Sequence, residues 1–312
     1  MPRFLVPIST AFALTAAPSW ADLTAQSAWD AFQANYGLAG TLSVEAETVS
    51  GSTLTASGVV LEFAPDEETS GNVVLGVVEF RERGDGTVDV VLEDSLPMVM
   101  AVEIEGESVT IRGDITLEGG SIVYSGTPED VTQTYAFDTY GFVLTGIDEM
   151  PGEADVMVEA KGTNVSGVTN LKLGEVIETT FTLAADSFGI TVDATSPENE
   201  TVQAQYTLEN ITGEGAANFP ENMATIPQEE LVLDPNYLVD ITTASASTTF
   251  SFVFDGADDD ASIEFSAADA GTSMTLIDQA FRVANTLNAL DVSVLTPDLP
   301  IPLNVAAAEI GF

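Results

Sequence analysis

The chain of 312 residues has no cysteine, no histidine, and only seven basic residues against fifty acidic ones. Without cysteine there is no disulfide, no thiolate nucleophile, no iron–sulfur cluster and no zinc–thiolate site. Without histidine the chain lacks the commonest general base, the usual zinc and copper ligand and any Ser-His-Asp arrangement. A chain short of both is a poor candidate for an enzyme, and no catalytic residue, metal ligand set or cofactor is expected. The shortage of Lys and Arg leaves a formal net charge of −43. Such a field repels nucleic acid and anionic head groups and favours solubility. Nucleic acid is excluded as a partner. No stretch beyond the N-terminus reaches the ~20 apolar residues of a membrane helix, and no Gly-rich segment leads into a Lys-Ser or Lys-Thr pair that would cradle phosphate.

The first readable feature is an export signal. After Met1-Pro2-Arg3 the chain runs from Phe4 to Ala17 without a charge, then reads Pro18-Ser19-Trp20-Ala21-Asp22. A short basic start, an apolar stretch too short to span a bilayer and small residues at Ser19 and Ala21 make residues 1–21 a secretory signal peptide. Cleavage after Ala21 would remove Arg3 and leave 6 − 50 = −44 charges on a chain starting at Asp22. With no cysteine, a lipid anchor is excluded. The expected location is periplasmic or secreted, and an exported chain without disulfides must rely on an ordinary core.

Beyond the signal the pattern is helical once and then β. Thr24 is a candidate N-cap; Ala25, Ala28, Trp29, Phe32 and Tyr36 share a helical face, and Gly37 is placed to end it. From Thr41 the period is two. Val88, Val90 and Leu92 form one alternating row, and Val109, Ile111, Ile115 and Leu117 another. Phe188, Ile190 and Val192 continue the pattern, as do Val202, Ala204, Tyr206 and Leu208, then Phe250, Phe252 and Phe254. Such alternation marks antiparallel sheet with one apolar face. Asp85-Gly86 is a hairpin signal, and Glu105-Gly106, Glu118-Gly119-Gly120 and Pro151-Gly152 punctuate further turns.

The expected fold is mainly β: a large curled antiparallel meander (open barrel, half-barrel or sandwich) of roughly twelve to sixteen strands with one N-terminal helix. Residues 213–236, with Gly213, Gly215, Pro220, Pro227 and Pro235, read as a loop or linker. They would divide a region at 22–212 from a C-terminal β region at 237–312. Met274 to Leu290 fits helix and strand equally. The apolar run ending at Phe312 suggests a domain cut short.

Few motifs carry chemistry. The Asp255–Asp260 cluster has the oxygen ligands calcium needs, but its spacing fits no known calcium loop, and an exposed hairpin turn is the better reading. Fifty carboxylates must include pairs, so pairs have no specificity for glycoside hydrolysis. Lys161 and Lys172 are the only lysines and lie in no catalytic motif. Asn164, Asn199 and Asn210 each begin an Asn-X-Ser/Thr triplet, idle under a bacterial export signal. An outer-membrane barrel would need two aromatic girdles, and of two tryptophans one lies in the signal peptide.

Several landmarks fall in order. Ala21-Asp22-Leu23-Thr24-Ala25 leads into the Trp29 helix, short β repeats follow, and Phe80-Arg81-Glu82-Arg83-Gly84-Asp85-Gly86-Thr87-Val88 and Ser247-Thr248-Thr249-Phe250-Ser251-Phe252 come after. This order resembles the family named domain of unknown function 2125, found in secreted proteins of Gram-negative bacteria. The resemblance implies an envelope setting and a longer chain, and supplies no catalytic residue. Two functions are then expected in rivalry. One is a binding or transport module holding a lipid or other hydrophobic ligand on the sheet's apolar rows, including Val109, Ile111, Ile115, Phe188, Ile190 and Val192. The other is a structural or interaction protein of the envelope, in which the same rows fill a closed core.

Overall fold

A computed structural model describes residues 23–64, 69–104, 107–148, 155–220, 234, 236–256, 260–277, 280–295 and 303–311, and every structural statement below concerns these residues. The expected signal segment, with its expected cleavage position after Ala21, lies outside them.

One helix, α1 (Ala25–Gly37), precedes sixteen strands in a single antiparallel sheet. The early strands are short: β1 (Thr41–Ser43), β2 (Ala46–Ser50), β3 (Thr53–Phe63), β4 (Thr69–Glu82), β5 (Val88–Val91), β6 (Ser95–Ile104), β7 (Glu107–Glu118) and β8 (Ser121–Thr127). The later ones are long: β9 (Asp130–Asp148), β10 (Asp155–Lys172), β11 (Val176–Thr195), β12 (Thr201–Pro220), β13 (Leu238–Asp255), β14 (Asp260–Ile277), β15 (Ala280–Leu295) and β16 (Leu303–Gly311). At about 3.3 Å per residue, the 20 residues of β11 or β12 span roughly 65 Å. The curled antiparallel meander expected from the alternation is the architecture observed.

Three pairs of short strands are halves of single tracks. β1 and β2 both pair β3; β5 and β6 both pair β4; β7 and β8 both pair β9. The sheet is therefore a plain up-and-down meander without crossovers.

A line of irregular residues crosses it. Left-handed backbone occurs at Gly58, Gly76, Gly119, Asn164, Asn210, Asp269 and Ala289, with φ of 62°, 68°, 62°, 48°, 51°, 47° and 49°. The ladders place them on one transverse row. Pairing skips Asn164, Asp186, Asn210, Ala246 and Asp269 in successive strands and resumes in register on both sides. A left-handed residue inside a strand bends it and moves the next side chain to the other parity. The sequence compensates. In β3 the buried residues change from Leu54 and Ala56 to Val59 and Leu61, and in β4 from Val73 and Leu75 to Val78 and Phe80. The apolar side chains thus stay on one face while every strand folds across the same crease.

Carboxylates accompany the crease. Glu45 lies against Gly58, Glu93 Oε1 is 3.2 Å from where a Cβ on Gly76 would sit, and Asp138 lies against Gly119. Asn164 Nδ2 donates to Asp186 Oδ2 at 2.6 Å.

The helix fills the creased sheet at its N-terminal end. Thr24 caps it as expected, Oγ1 accepting from Ser27 N at 3.1 Å. Gly37 is the last helical residue, and the right-handed Leu38 closes the helix. Trp29 and Phe32 are fully buried against Phe80, with ring centroids 5.4 and 5.5 Å away. The indole nitrogen of Trp29 donates to Glu47 at 3.0 Å, and the Ala25 amide donates to Glu82 at 2.9 Å. These bonds satisfy polar atoms that burial would otherwise orphan. The main core is built on this helix and reaches as far as Leu171 and Ile177.

Two expectations change. Gly213–Pro220 does not open a linker; it is the distal part of β12, paired with β11 and β13, so one sheet replaces the division into 22–212 and 237–312. The physical reason is packing: the Phe181 ring lies over Gly215 and Leu183 lies over Gly213, so these glycines make room for cross-strand neighbours. Positions 221–233, with Pro227, lie outside the described residues, as do Pro235, Pro297, Pro300, Pro302 and Phe312. In the ambiguous Met274–Leu290 segment, 274–277 belong to β14 and 280–290 to β15, with Ile277 paired to Ala280, and 278–279 lie outside the described residues.

Candidate functional site

Beyond the helix the apolar face continues with none of the described residues lying over it. Directly opposed residues of an antiparallel ladder share a face, so the register assigns the rows. On one side of the crease Val158, Val192, Ala204, Phe252, Ile263 and Val294 form one row across β10 to β15. Ala160, Ile190, Tyr206, Phe250, Phe265 and Val292 form the next. On the other side Leu171, Thr179, Ala217, Val239, Leu276 and Phe281 do the same. Six strands at about 4.8 Å spacing carry this surface for roughly 24 Å across.

Tyr206, Leu208 and Phe265 from one side of the crease and Ile211, Ala270 and Leu287 from the other line a common cleft of about 480 Å³. Both arms therefore present their apolar residues inward. Along the cleft floor Ser245 and Thr248 are buried and share a hydrogen bond of 3.1 Å between their hydroxyls. The opposite face carries Gln205, Thr207, Ser251, Glu264, Ser266 and Asp291.

A second cavity, of about 520 Å³, lies where α1 stops. Asn35, Tyr36 and Ala39 border it, with Leu75, Ile122 and Phe137 from the walls and Val165 and Thr169 from β10. Gln133, Tyr135 and Tyr140 complete its polar lining. Burial, with Tyr140 and Tyr135 close by, pushes the Tyr36 phenol up to about 12. Burial also raises Tyr135, helped by Tyr140, and burial raises Tyr140 itself. All three phenols remain neutral hydrogen-bond donors at any physiological pH.

The rows named from the sequence divide as follows. Phe188, Ile190 and Val192 lie half-buried on the uncovered face, and Val109 is buried while Ile111 and Ile115 are partly so. Asp255 and Asp260 pair at the end of the β13–β14 hairpin, and 257–259 between them lie outside the described residues. Among the described residues no three carboxylates converge as metal ligands would. Lys172 is spoken for, its Nζ 2.9 Å from Glu178. The three Asn of the glycosylation-like triplets all have left-handed backbone, with φ of 48° at Asn164, 65° at Asn199 and 51° at Asn210. Asn is the residue that tolerates this conformation best after Gly, so the triplets mark backbone geometry.

The crease and the cavity beside α1 were not read from the sequence. The crease had a signal: apolar parity switches in the middle of each run, as from Leu208 to Ile211. The cavity had none, because its lining comes from residues as distant in sequence as Asn35, Leu75 and Thr169.

Among the described residues no helix is long and apolar enough to cross a membrane, which leaves strands unaddressed. Within them β16 pairs only with β15, and β1 and β2 only with β3. No family model, no curated protein and no solved structure matches the chain.

Proposed function

We propose that this chain is an exported binding module that carries a long hydrophobic ligand, an acyl chain or its equivalent, along the inner face of the creased sheet. The observation that supports this reading is the uncovered continuation of a face that α1 buries elsewhere. Leu54, Val59, Val78 and Phe80 under the helix are 0% exposed, whereas Ile263, Val283 and Phe281 on the same face are 37%, 47% and 63% exposed. Soluble proteins rarely leave a contiguous apolar surface of this kind open unless something occupies it. A flexible chain of methylenes suits a long, shallow surface with no convergent charges. Export and envelope membership, and with them the family resemblance, belong to the same proposal.

Native mass spectrometry of the protein purified from its own envelope tests the reading. A lipid-sized adduct lost on collisional activation is expected. Leu208→Asp and Phe265→Asp should abolish it while the far-ultraviolet spectrum stays that of β-sheet. Bare protein that also fails to take up a fluorescent acyl probe would favour a structural role instead.

A further inference from the structure

Resting on that reading, we infer that the ligand's head group is uncharged and is held in the cavity between the last turn of α1 and the crease. Among the described residues the lining contains no Asp, Glu, Lys or Arg. A carboxylate or phosphate placed there would lose its water without meeting a cation, and an ammonium would lose its water without meeting a carboxylate. The polar side chains that line the cavity are amides, phenols and the Thr169 hydroxyl, all uncharged, which serve an alcohol, ester or amide head. Asn35 and Gln133 make only a long contact, Nδ2 to Oε1 at 3.5 Å, so both keep capacity for a ligand. Tyr36, Tyr135 and Tyr140 supply neutral donors.

Field and position agree with this chemistry. The last turn of α1 borders the cavity, so the negative end of the helix dipole faces it and disfavours an anion. Val165 and Thr169 of β10 line the cavity and belong to the uncovered face, so a tail leaving the head runs directly onto the apolar rows. At about 520 Å³ the volume falls within the ordinary range for small-ligand sites. The helix thus closes one end of the surface and provides the place where the head stops.

Displacement of a neutral polarity-sensitive dye by three amphiphiles with one alkyl chain tests this. The probes are a monoacylglycerol, the corresponding fatty acid in its ionised form and the alkyltrimethylammonium. Measurement in 1 M salt, where screening acts within ~3 Å, removes the contribution of the protein's overall negative charge. The monoacylglycerol should bind at least about tenfold more tightly than either ion, the ions having no partner in the cavity. Tyr135→Phe and Gln133→Leu should each shrink that preference, and the first, a nearly isosteric change, keeps the test valid if the second misfolds. Equal binding of the three, or a preference for an ion, overturns the uncharged head while leaving the hydrophobic reading intact. An unchanged preference in both variants overturns the cavity as its place. Failure of the dye and all three probes to bind would instead sink the reading beneath it.

Discussion

The two ends of the sheet share a crease, a register and an apolar inner face, and differ in what lies on that face. At the N-terminal end α1 covers it, and Trp29, Phe32, Leu54, Val78 and Phe80 have at most 1% of their surface exposed. From β10 to β15 no helix among the described residues covers it; Leu171, Ile177, Ala267, Leu290 and the small cluster of Ala217, Val239 and Leu276 are buried, while most other apolar residues of that face are half-buried or exposed. One end behaves as a folded core. The other depends on backbone ladders and, under the proposed function, on its ligand, which would make it the end where stability and function are coupled.

Substitutions that compare the ends should fall in a clear order. Trp29→Ala removes the centre of the helix-bound core and should cost about 3–5 kcal/mol, while Phe250→Ala on the uncovered face should cost about 1 kcal/mol, since far less burial is lost. Urea titration of both variants decides whether the ends differ as described; equal losses would erase the contrast. The crease comes next. Gly119→Val puts a branched side chain at a left-handed position against Asp138 and should cost about 1–3 kcal/mol, whereas Asn210→Gly should be neutral or slightly stabilising because glycine adopts that backbone freely. Thermal melts of this pair check whether the crease is built by left-handed residues.

Smaller effects test the periphery. Thr24→Ala removes the helix cap and should cost about 1 kcal/mol, and hydrogen exchange should show the loss confined to α1 and the strands it covers. Arg112 pairs with Asp148 with both side chains roughly half exposed. Arg112→Ala should therefore change stability by less than about 1 kcal/mol, and that small change should vanish in high salt.

Much of this was legible from residue order. The alternation of Val88 and Val90, and of Tyr206 and Leu208, requires a one-sided antiparallel sheet, and Thr24 with Trp29 and Phe32 requires a capped, buried helix. Asp85-Gly86 forms its hairpin, with Arg83 N donating to Thr87 O at 3.0 Å and Gly86 at a φ of 86°. Gly213 and Gly215 misled, because glycine under an aromatic or leucine side chain looks the same in sequence as glycine in a loop. The crease was hidden for a related reason. A single Asn at position 164 or 210 reads as a polar residue between two strands, and only lateral alignment shows that every strand bends at the same place. The cavity beside α1 depends on side chains as distant in sequence as Asn35 and Gln133, and no local pattern announces such a meeting.

Residue-level mapping with a photoactivatable long-chain alcohol tests most directly whether the uncovered inner face is the ligand surface. Adducts are expected on Tyr206, Leu208, Ile211, Phe265 and Leu287, with Gln205, Thr207 and Glu264 on the opposite face unlabelled. Labelling of both faces alike, or of the outer residues alone, would contradict it.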